Sequence, residues 1–392
     1  MPRSSCAVYG TAITGVILIV TGVALLVAGV FQNIINKRLK GEITLTEGSK
    51  VFGTWKNPPP PVFMEFFFYN VTNPKEFMEG KKPRVNTMGP YTYRYAVMNK
   101  LKESNFWVRS FMSVLMGSLG TMFFTHTVNE LLWGFEDPLL SRLHKMKPEV
   151  DGKFGLMLDK NGSTDGEFVY FTGEQNYLEY GRIDTWKGQK LMSFWNTNQS
   201  NMINGTDGSA FHPFLTKEER LDVFTADLCR SIHMLFEKEV KVKGIPAYRY
   251  TPPRAVLASG KNNPENEGFC LDPANCLDDG VLNVAVCRKG APVIVSFPHF
   301  YLGDKKYADA IDGLSPVHEH HQTYLDLNPT TGVPVRAAKR AQINILLDRV
   351  SGFPMTRNLN GTVFPVMFLN EVRKMRFFSQ LRKKKYIKYI YL

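Results

Sequence analysis

Apolar residues run without a single charge from Ser4 to Asn36, then break into short stretches divided by polar turns. The centre of that run, Ala7 to Phe31, is apolar or small throughout. About 20 such residues carry a helix across the hydrocarbon core of a bilayer. The apolar part of a cleaved signal peptide is shorter, roughly 7–15 residues. The pattern therefore predicts an uncleaved signal anchor over residues 7–31 and a short cytosolic tail over residues 1–6. A lumenal or extracellular ectodomain follows over residues 32–370. Val363–Leu369 is too short for a second span and contains Pro365, so this form reads as single-pass.

Beyond the anchor the period changes. Lys50–Asn57 leads into Pro58-Pro-Pro-Pro61, which fixed φ angles hold extended. The run Val62–Tyr69 (VFMEFFFY) predicts a buried strand, Asn70–Pro74 a turn, and Gly89–Arg94 a second strand. From Ala96 to Leu119, Val97, Leu101, Val108, Phe111, Met112, Leu115 and Leu119 recur at helical spacing. Thr127-Val-Asn-Glu130 is a capping box that opens a second helix through Trp133, and Pro138–Met146 suits a third. A helical apex is thus expected over about 96–147. Short strands return at Glu167–Thr172, Ala247–Tyr250, Pro292–Phe297, Ala341–Leu347 and Val363–Leu369. Many short strands around a helical insert predict a mainly β fold with α, of the α+β class.

Roughly 350 residues beyond the span suffice for one large core or two intimate ones. The formal charge of +12 is concentrated at the end: Glu371–Leu392 holds eight Lys or Arg and one Glu, which is +7 of the total. The body of the chain is only mildly basic, which argues against nucleic acid as a partner. The divergent tail, residues 371–392, ends in a basic and aromatic stretch that suits anionic lipid head groups or a frayed terminus.

Charge does not orient the anchor, because Arg3 precedes it while Lys37, Arg38 and Lys40 follow it, the reverse of the usual bias. Five Asn-x-Ser/Thr acceptor sites, at Asn70, Asn161, Asn198, Asn204 and Asn360, favour the secretory lumen. Four cysteines cluster at Cys229, Cys270, Cys276 and Cys287, and an even set in a lumenal chain reads as two disulfides. Three pairings are open. The close spacing of Cys270 and Cys276 suits a small loop, which leaves Cys229 with Cys287. A zinc site would need the close Cys-x2-Cys pairs that are absent here. Cys6 stands apart at the cytosolic edge as an idle thiol or a palmitoylation site.

His318-Glu-His-His321 is the one constellation that suggests catalysis, as a metal-dependent hydrolase. Zinc-binding helices place His at i and i+4, whereas these stand at i, i+2 and i+3 after Pro316, so a solvated loop is expected. No Gly-x-Ser-x-Gly, Gly-x-Gly-x-x-Gly or Walker loop is present. Neither a cofactor nor a metal is expected, and the chain is read as a non-enzyme.

Several longer motifs carry a resemblance. They are Phe66-Phe-Phe-Tyr-Asn70-Val-Thr-Asn-Pro74, Pro83-Arg-Val85 with Gly89-Pro-Tyr-Thr-Tyr-Arg94, and Asn201-Met-Ile-Asn-Gly-Thr-Asp207. Cys229-Arg-Ser231, Asn266-Glu-Gly-Phe-Cys270 and Ser296-Phe-Pro-His-Phe-Tyr301 belong with them. The chain resembles the class B scavenger receptors. Thr125–Gly134 and Ala337-Ala-Lys-Arg340 point to the lysosomal branch of that family.

The resemblance implies a lumenal β-barrel-like core with a lipid tunnel, capped by apical helices that bind protein or lipoprotein ligands. In the lysosomal branch the apex carries β-glucocerebrosidase toward the lysosome and releases it at low pH. The matching helix here is Lys100–Ser118, with Lys102, Phe106, Trp107, Arg109, Phe111 and Met112 as candidate contacts. The implied partners are the membrane, lipids or lipoproteins, β-glucocerebrosidase and a second copy of the chain. The implied location is the lysosomal, endosomal or plasma membrane. The family's lumenal disulfides agree with the pairs Cys229–Cys287 and Cys270–Cys276.

Three departures stand out. After Arg94 the family continues through more strands, whereas here Ala96 enters a helix. The chain diverges after Asn370, where the family goes on to a second span. Asn283-Val-Ala lacks an acceptor site common in relatives. A shortened variant, with or without ligand function, is the reading these departures support.

Overall fold

A computed structural model describes residues 3–45, 47–56, 62–95, 125–136, 141–142, 144–145, 152–158, 165–288, 293–349 and 356–374. The apolar run forms α1 (Arg3–Val27) and, after a break at Ala28-Gly29, α2 (Val30–Glu42). Within α1, Tyr9–Val27 is long and apolar enough to cross a membrane, and none of it is buried against protein. A third helix, α3 (Lys50–Lys56), packs Phe52 and Trp55 on a small core of Leu45, Tyr180 and Ala210. Trp55 meets the Tyr170 ring edge-on at 5.2 Å and donates to Ser209 Oγ at 3.3 Å.

The ectodomain is built on one ten-stranded antiparallel sheet. Its strands are β1 (Val62–Val71), β2 (Val85–Tyr95), β3 (Leu221–Thr225), β4 (Arg230–Val242) and β5 (Ile245–Thr251). They continue with β6 (Val281–Asn283), β7 (Val293–Ser296), β8 (Tyr324–Leu327), β9 (Pro334–Leu347) and β10 (Thr362–Lys374). Spatial order is β2-β1-β10-β9-β8-β5-β4-β3. The long β9 takes two partners on its other edge, β8 beside its first half and the β7–β6 pair beside its second.

The aromatic run of β1 explains its central place. Phe66 and Phe68 are buried in the main core, while Phe67 stacks on Phe368 of β10 at 4.4 Å. Large aromatic and β-branched side chains of this kind hold neighbouring strands by cross-strand contact. Phe154, Ile294, Ile311 and Met367 complete the most deeply buried set around them.

The structure corrects the barrel expectation. The strand path is open, running from β2 at one end to β3 at the other, so no closed barrel forms among the described residues. Closure requires the first and last strands to bond each other, and β2 has β1 as its one partner before the chain leaves the described residues at Tyr95. The fold is mixed α and β, mostly sheet, with a single apolar helix at the N-terminus. Strands β3, β4, β6 and β8 are absent from the sequence-based pattern.

Short helices fill the connections: α4 (Pro74–Met78), α5 (Val128–Trp133), α6 (Asn198–Asn201), α7 (Lys305–Asp309) and α8 (His318–His321). The expected capping box opens α5, where Thr127 Oγ1 accepts from the Glu130 amide and the Glu130 carboxylate accepts from the Thr127 amide at 2.8 Å.

Candidate functional site

The candidate ligand contacts Lys102, Phe106, Trp107, Arg109, Phe111 and Met112 lie outside the described residues, as do most of the expected apex and Asn161. The flanks of that segment are held firmly. On one side β2 pairs with β1 through Tyr95. On the other, α5 inserts Leu132, which is fully buried, and its Leu131 and Leu132 carbonyls accept from the amides of Leu156 and Met157. His126 stacks on Phe135 at 3.7 Å just outside the cap. The residues on both sides of the segment are therefore fixed in the fold.

The four clustered cysteines form the bonds Cys229–Cys287 and Cys270–Cys276. Around the first, Trp195 Nε1 donates to the Cys229 carbonyl at 2.5 Å. Next to it the buried Arg230 lays its guanidinium on the Phe269 ring at 3.7 Å and donates to Asn266 Oδ1 at 3.3 Å. An aromatic face is a favourable neighbour for a desolvated cation. Asn266 also donates to the carbonyls of Ala255 and Ala258, each at 2.8 Å, so one amide ties together the loop that precedes Cys270.

Acceptor asparagines Asn70, Asn198 and Asn360 are exposed, and Asn204 is half-buried. Gly205, within the Asn204 site, has φ +80°, and a Cβ there would stand 1.8 Å from the Asp222 carbonyl oxygen. Only glycine fits this turn.

The His318–His321 expectation is also corrected. The segment is a one-turn helix, α8, in which His318, Glu319 and His320 are exposed as expected while His321 is buried. No group of His, Cys, Asp or Glu suited to a metal occurs among the described residues. His321 instead stacks on His299 with centroids 4.3 Å apart. Each Nδ1 accepts from a backbone amide, that of Val317 for His321 and that of Ser315 for His299. An amide nitrogen only donates, so both rings keep a lone pair at Nδ1 and are neutral. Burial is the main cause that lowers their pKa values, to about 4 for His299 and about 3 for His321.

Beneath this pair lies a neutral polar network that the sequence did not announce. Gln342 and Asn344 on β9 are fully buried. Gln342 Oε1 accepts from the Tyr69 hydroxyl at 2.6 Å and the His299 amide at 2.7 Å. Its Nε2 donates to Asn344 Oδ1 and Ser296 Oγ, and Asn344 Nδ2 donates to the Ile294 carbonyl. Burial pushes the Tyr69 phenol well above its ordinary value.

A second buried group sits where β5, β8 and β9 meet. Asp326 is fully buried and accepts two bonds from Arg249, at 2.7 and 2.9 Å, and one from Arg336 at 2.6 Å. Arg249 also covers the Tyr324 ring at 3.9 Å, with Arg336 and Arg340 farther out over the same ring. Asp326↔Arg249 and Asp326↔Arg336 are register partners, so strand pairing alone delivers both cations to the acid.

A surface concavity of about 640 Å³ is lined by Arg220, His233, Arg254, Asn262, Glu265 and Asp279 among others. Its mixed charges suit water and small polar groups better than an acyl chain. Burial is the chief cause that lowers the His233 pKa. None of these groupings places a nucleophile beside a base.

Comparison with known proteins gives this scaffold its context. The CD36 family model matches residues 13–100 and 95–390, nearly the whole length. The chain belongs to the CD36 family. Lysosome membrane protein 2 of Rattus norvegicus is 40% identical over 413 residues, covering 93% of this chain and 86% of that protein. The Homo sapiens protein of the same name matches equally, 40% over 413 residues. Scavenger receptor class B member 1 of Cricetulus griseus is 30% identical over 443 residues, covering 97% of this chain and 84% of its own. The family match falls into two pieces that meet at residues 95–100, where β2 ends. Its second piece extends to residue 390, through the stretch after Asn370.

Proposed function

We propose that the chain is a membrane-anchored receptor, held by α1, whose ectodomain faces the secretory lumen and captures a lysosomal hydrolase of the β-glucocerebrosidase kind. The observation that carries this reading is the 40% identity to Lysosome membrane protein 2 across 93% of the chain, against 30% to Scavenger receptor class B member 1. The capture surface in this reading is the helix Lys100–Ser118, which lies in the chain between the fixed flanks β2 and α5. Trp107 and Arg109 are two residues apart and cannot share one narrow stripe of a helix. Val108, Phe111, Met112 and Leu115 define an inner face beside Trp107, which leaves Arg109 outward. Lipid or lipoprotein capture is the second reading, and the similarity to Scavenger receptor class B member 1 favours it.

Binding of β-glucocerebrosidase to the full chain in detergent at neutral pH tests the first reading. Arg109→Glu is expected to weaken it roughly tenfold or more, since arginine anchors commonly carry over 1 kcal/mol at an interface. Glycosylation and yield should stay unchanged. Undiminished binding by well-folded Arg109→Glu would remove this face as the site.

A further inference from the structure

Between the span and the ectodomain lies a helix that none of the described residues buries. No residue of α2 is buried. Phe31, Ile34 and Ile35 are 55%, 60% and 50% exposed, and their i, i+3, i+4 spacing puts them on one face. Gln32, Asn33, Asn36, Lys37 and Lys40 fall on the opposite side. Where the apolar stripe would continue, Arg38 pairs with Glu42 at 2.9 Å, which ends it after about two turns.

We infer that α2 lies in the membrane interface, with Phe31, Ile34 and Ile35 bedded at the acyl boundary and Lys37 turned to the head groups. The inference rests on the reading of α1 as the span. Three observations select a lipid surface as the occupant of this face. First, the stripe begins four residues beyond the last residue of the apolar span, Val27, so it is continuous with a surface already in lipid. Second, the two helices are not one rod: Gly29 has φ +64°, a left-handed conformation that turns the chain between them. A straight extension would lift the stripe into water, whereas a turn at this point lets it stay at the boundary. Third, α2 carries Lys37, Arg38 and Lys40 against Glu42, and a basic polar face opposite an apolar one is typical of helices that lie in the interface plane. The far end of α2 then meets the ectodomain, where the Lys40 amine stands 4.0 Å over the Tyr177 ring. A short helix lying on the surface between two fixed ends would set the height and tilt of the ectodomain above the bilayer.

The test is a depth scan of the full chain in nanodiscs of phosphatidylcholine and phosphatidylserine. Single cysteines at 31, 33, 34, 35, 36 and 37, in a Cys6→Ser background, carry an environment-sensitive fluorophore. Ile17→Cys in α1 and Val333→Cys on the ectodomain serve as the lipid and water references. Emission at 31, 34 and 35 should shift to the blue and be quenched by lipid-borne nitroxide. Emission at 33, 36 and 37 should stay red and be quenched by iodide. Six water-like positions with Ile17 in lipid would overturn the interfacial helix while sparing the anchor. Six equally lipid-like positions would make α2 part of the span and overturn it in the other direction. Iodide quenching at Ile17 would sink the anchor reading itself, and this inference with it.

Discussion

Two polar groups are buried in the same sheet, one beside each half of β9, and they are stabilised by opposite means. Around Gln342 and Asn344 every partner is neutral, and the amides, the Tyr69 hydroxyl, Ser296 and the His299 amide satisfy one another. Around Asp326 the partners are ions: one acid holds two arginines, and a third stands nearby over the shared Tyr324 ring. A neutral network loses one hydrogen bond at a time when a member is removed, each worth about 1 kcal/mol net. An ion cluster fails as a unit, because removing the shared acid leaves cations desolvated with no counter-charge. The arginines differ in how much water they retain, with side chains 13% exposed for Arg249 and 35% for Arg336. Arg249 therefore depends on Asp326 more than Arg336 does.

The largest effect is expected from Asp326→Ala. Breaking a buried ion pair from one side costs about 3–5 kcal/mol, and here two arginines are orphaned together. Thermal or denaturant unfolding of the purified chain reads this directly. A loss under about 1 kcal/mol, the range of an exposed pair, would show that water already solvates the cluster.

An intermediate effect should come from acid, through the histidine pair at the edge of the neutral network. The folded rings titrate near 4 and 3, below the 6.5 of a free imidazole. The unfolded chain thus binds protons first as pH falls. Stability is complete above about 6.5 and declines as pH drops toward 4, by of order 1–2 kcal/mol per ring at pH 5. The charges that act on His321 work the same way: His320 and Arg340 add positive charge beside it, while Glu319 of the same helix is exposed to water and Tyr69 faces His299 as a neutral phenol. Melting temperatures between pH 7.5 and 5 should fall, and His321→Gln, which keeps an acceptor for the Val317 amide, should flatten the slope. An unchanged slope in that variant would mean that other groups set the acid response.

The smallest effect belongs to Tyr69→Phe. It removes one donor from Gln342 Oε1, which still accepts from the His299 amide at 2.7 Å. A cost of about 1 kcal/mol is expected. A cost near that of Asp326→Ala would show that the neutral network is as cooperative as the ionic one and would erase the contrast between them.

The apolar N-terminal helix, the strands β1, β2, β5, β7, β9 and β10, and the capping box of α5 were legible in the chain because each rests on local spacing. Strand β4 was not: Arg230–Val242 mixes Glu and Lys with Val and Phe, and its outer half is exposed, so no apolar period marks it. In β8 a lone Asp stands in the stretch Tyr-Leu-Asp-Leu, and a charged residue in a short apolar run is a poor strand signal. The open strand path among the described residues was hidden for another reason. Closure depends on which strand meets β2 across space, and no spacing within one strand records its neighbour.

Alternation in Ala341-Gln-Ile-Asn-Ile345 assigns the amides to a wet face and the isoleucines to a dry one. The structure buries both faces, which is why Gln342 and Asn344 need partners from β1, β7 and the His299 turn. By itself the sequence determined the apolar helix, the lumen-type acceptor sites and cysteines, the mainly β character and the family, since these are properties of composition, local period and motif. Tertiary structure alone decided that the sheet path is open among the described residues, that His321 is stacked on His299 instead of solvated, and that Asp326 is shared by arginines from two neighbouring strands. Those outcomes join residues from 10 to 77 positions apart. What brings such residues together is the register and burial of whole strands, which a local pattern does not encode.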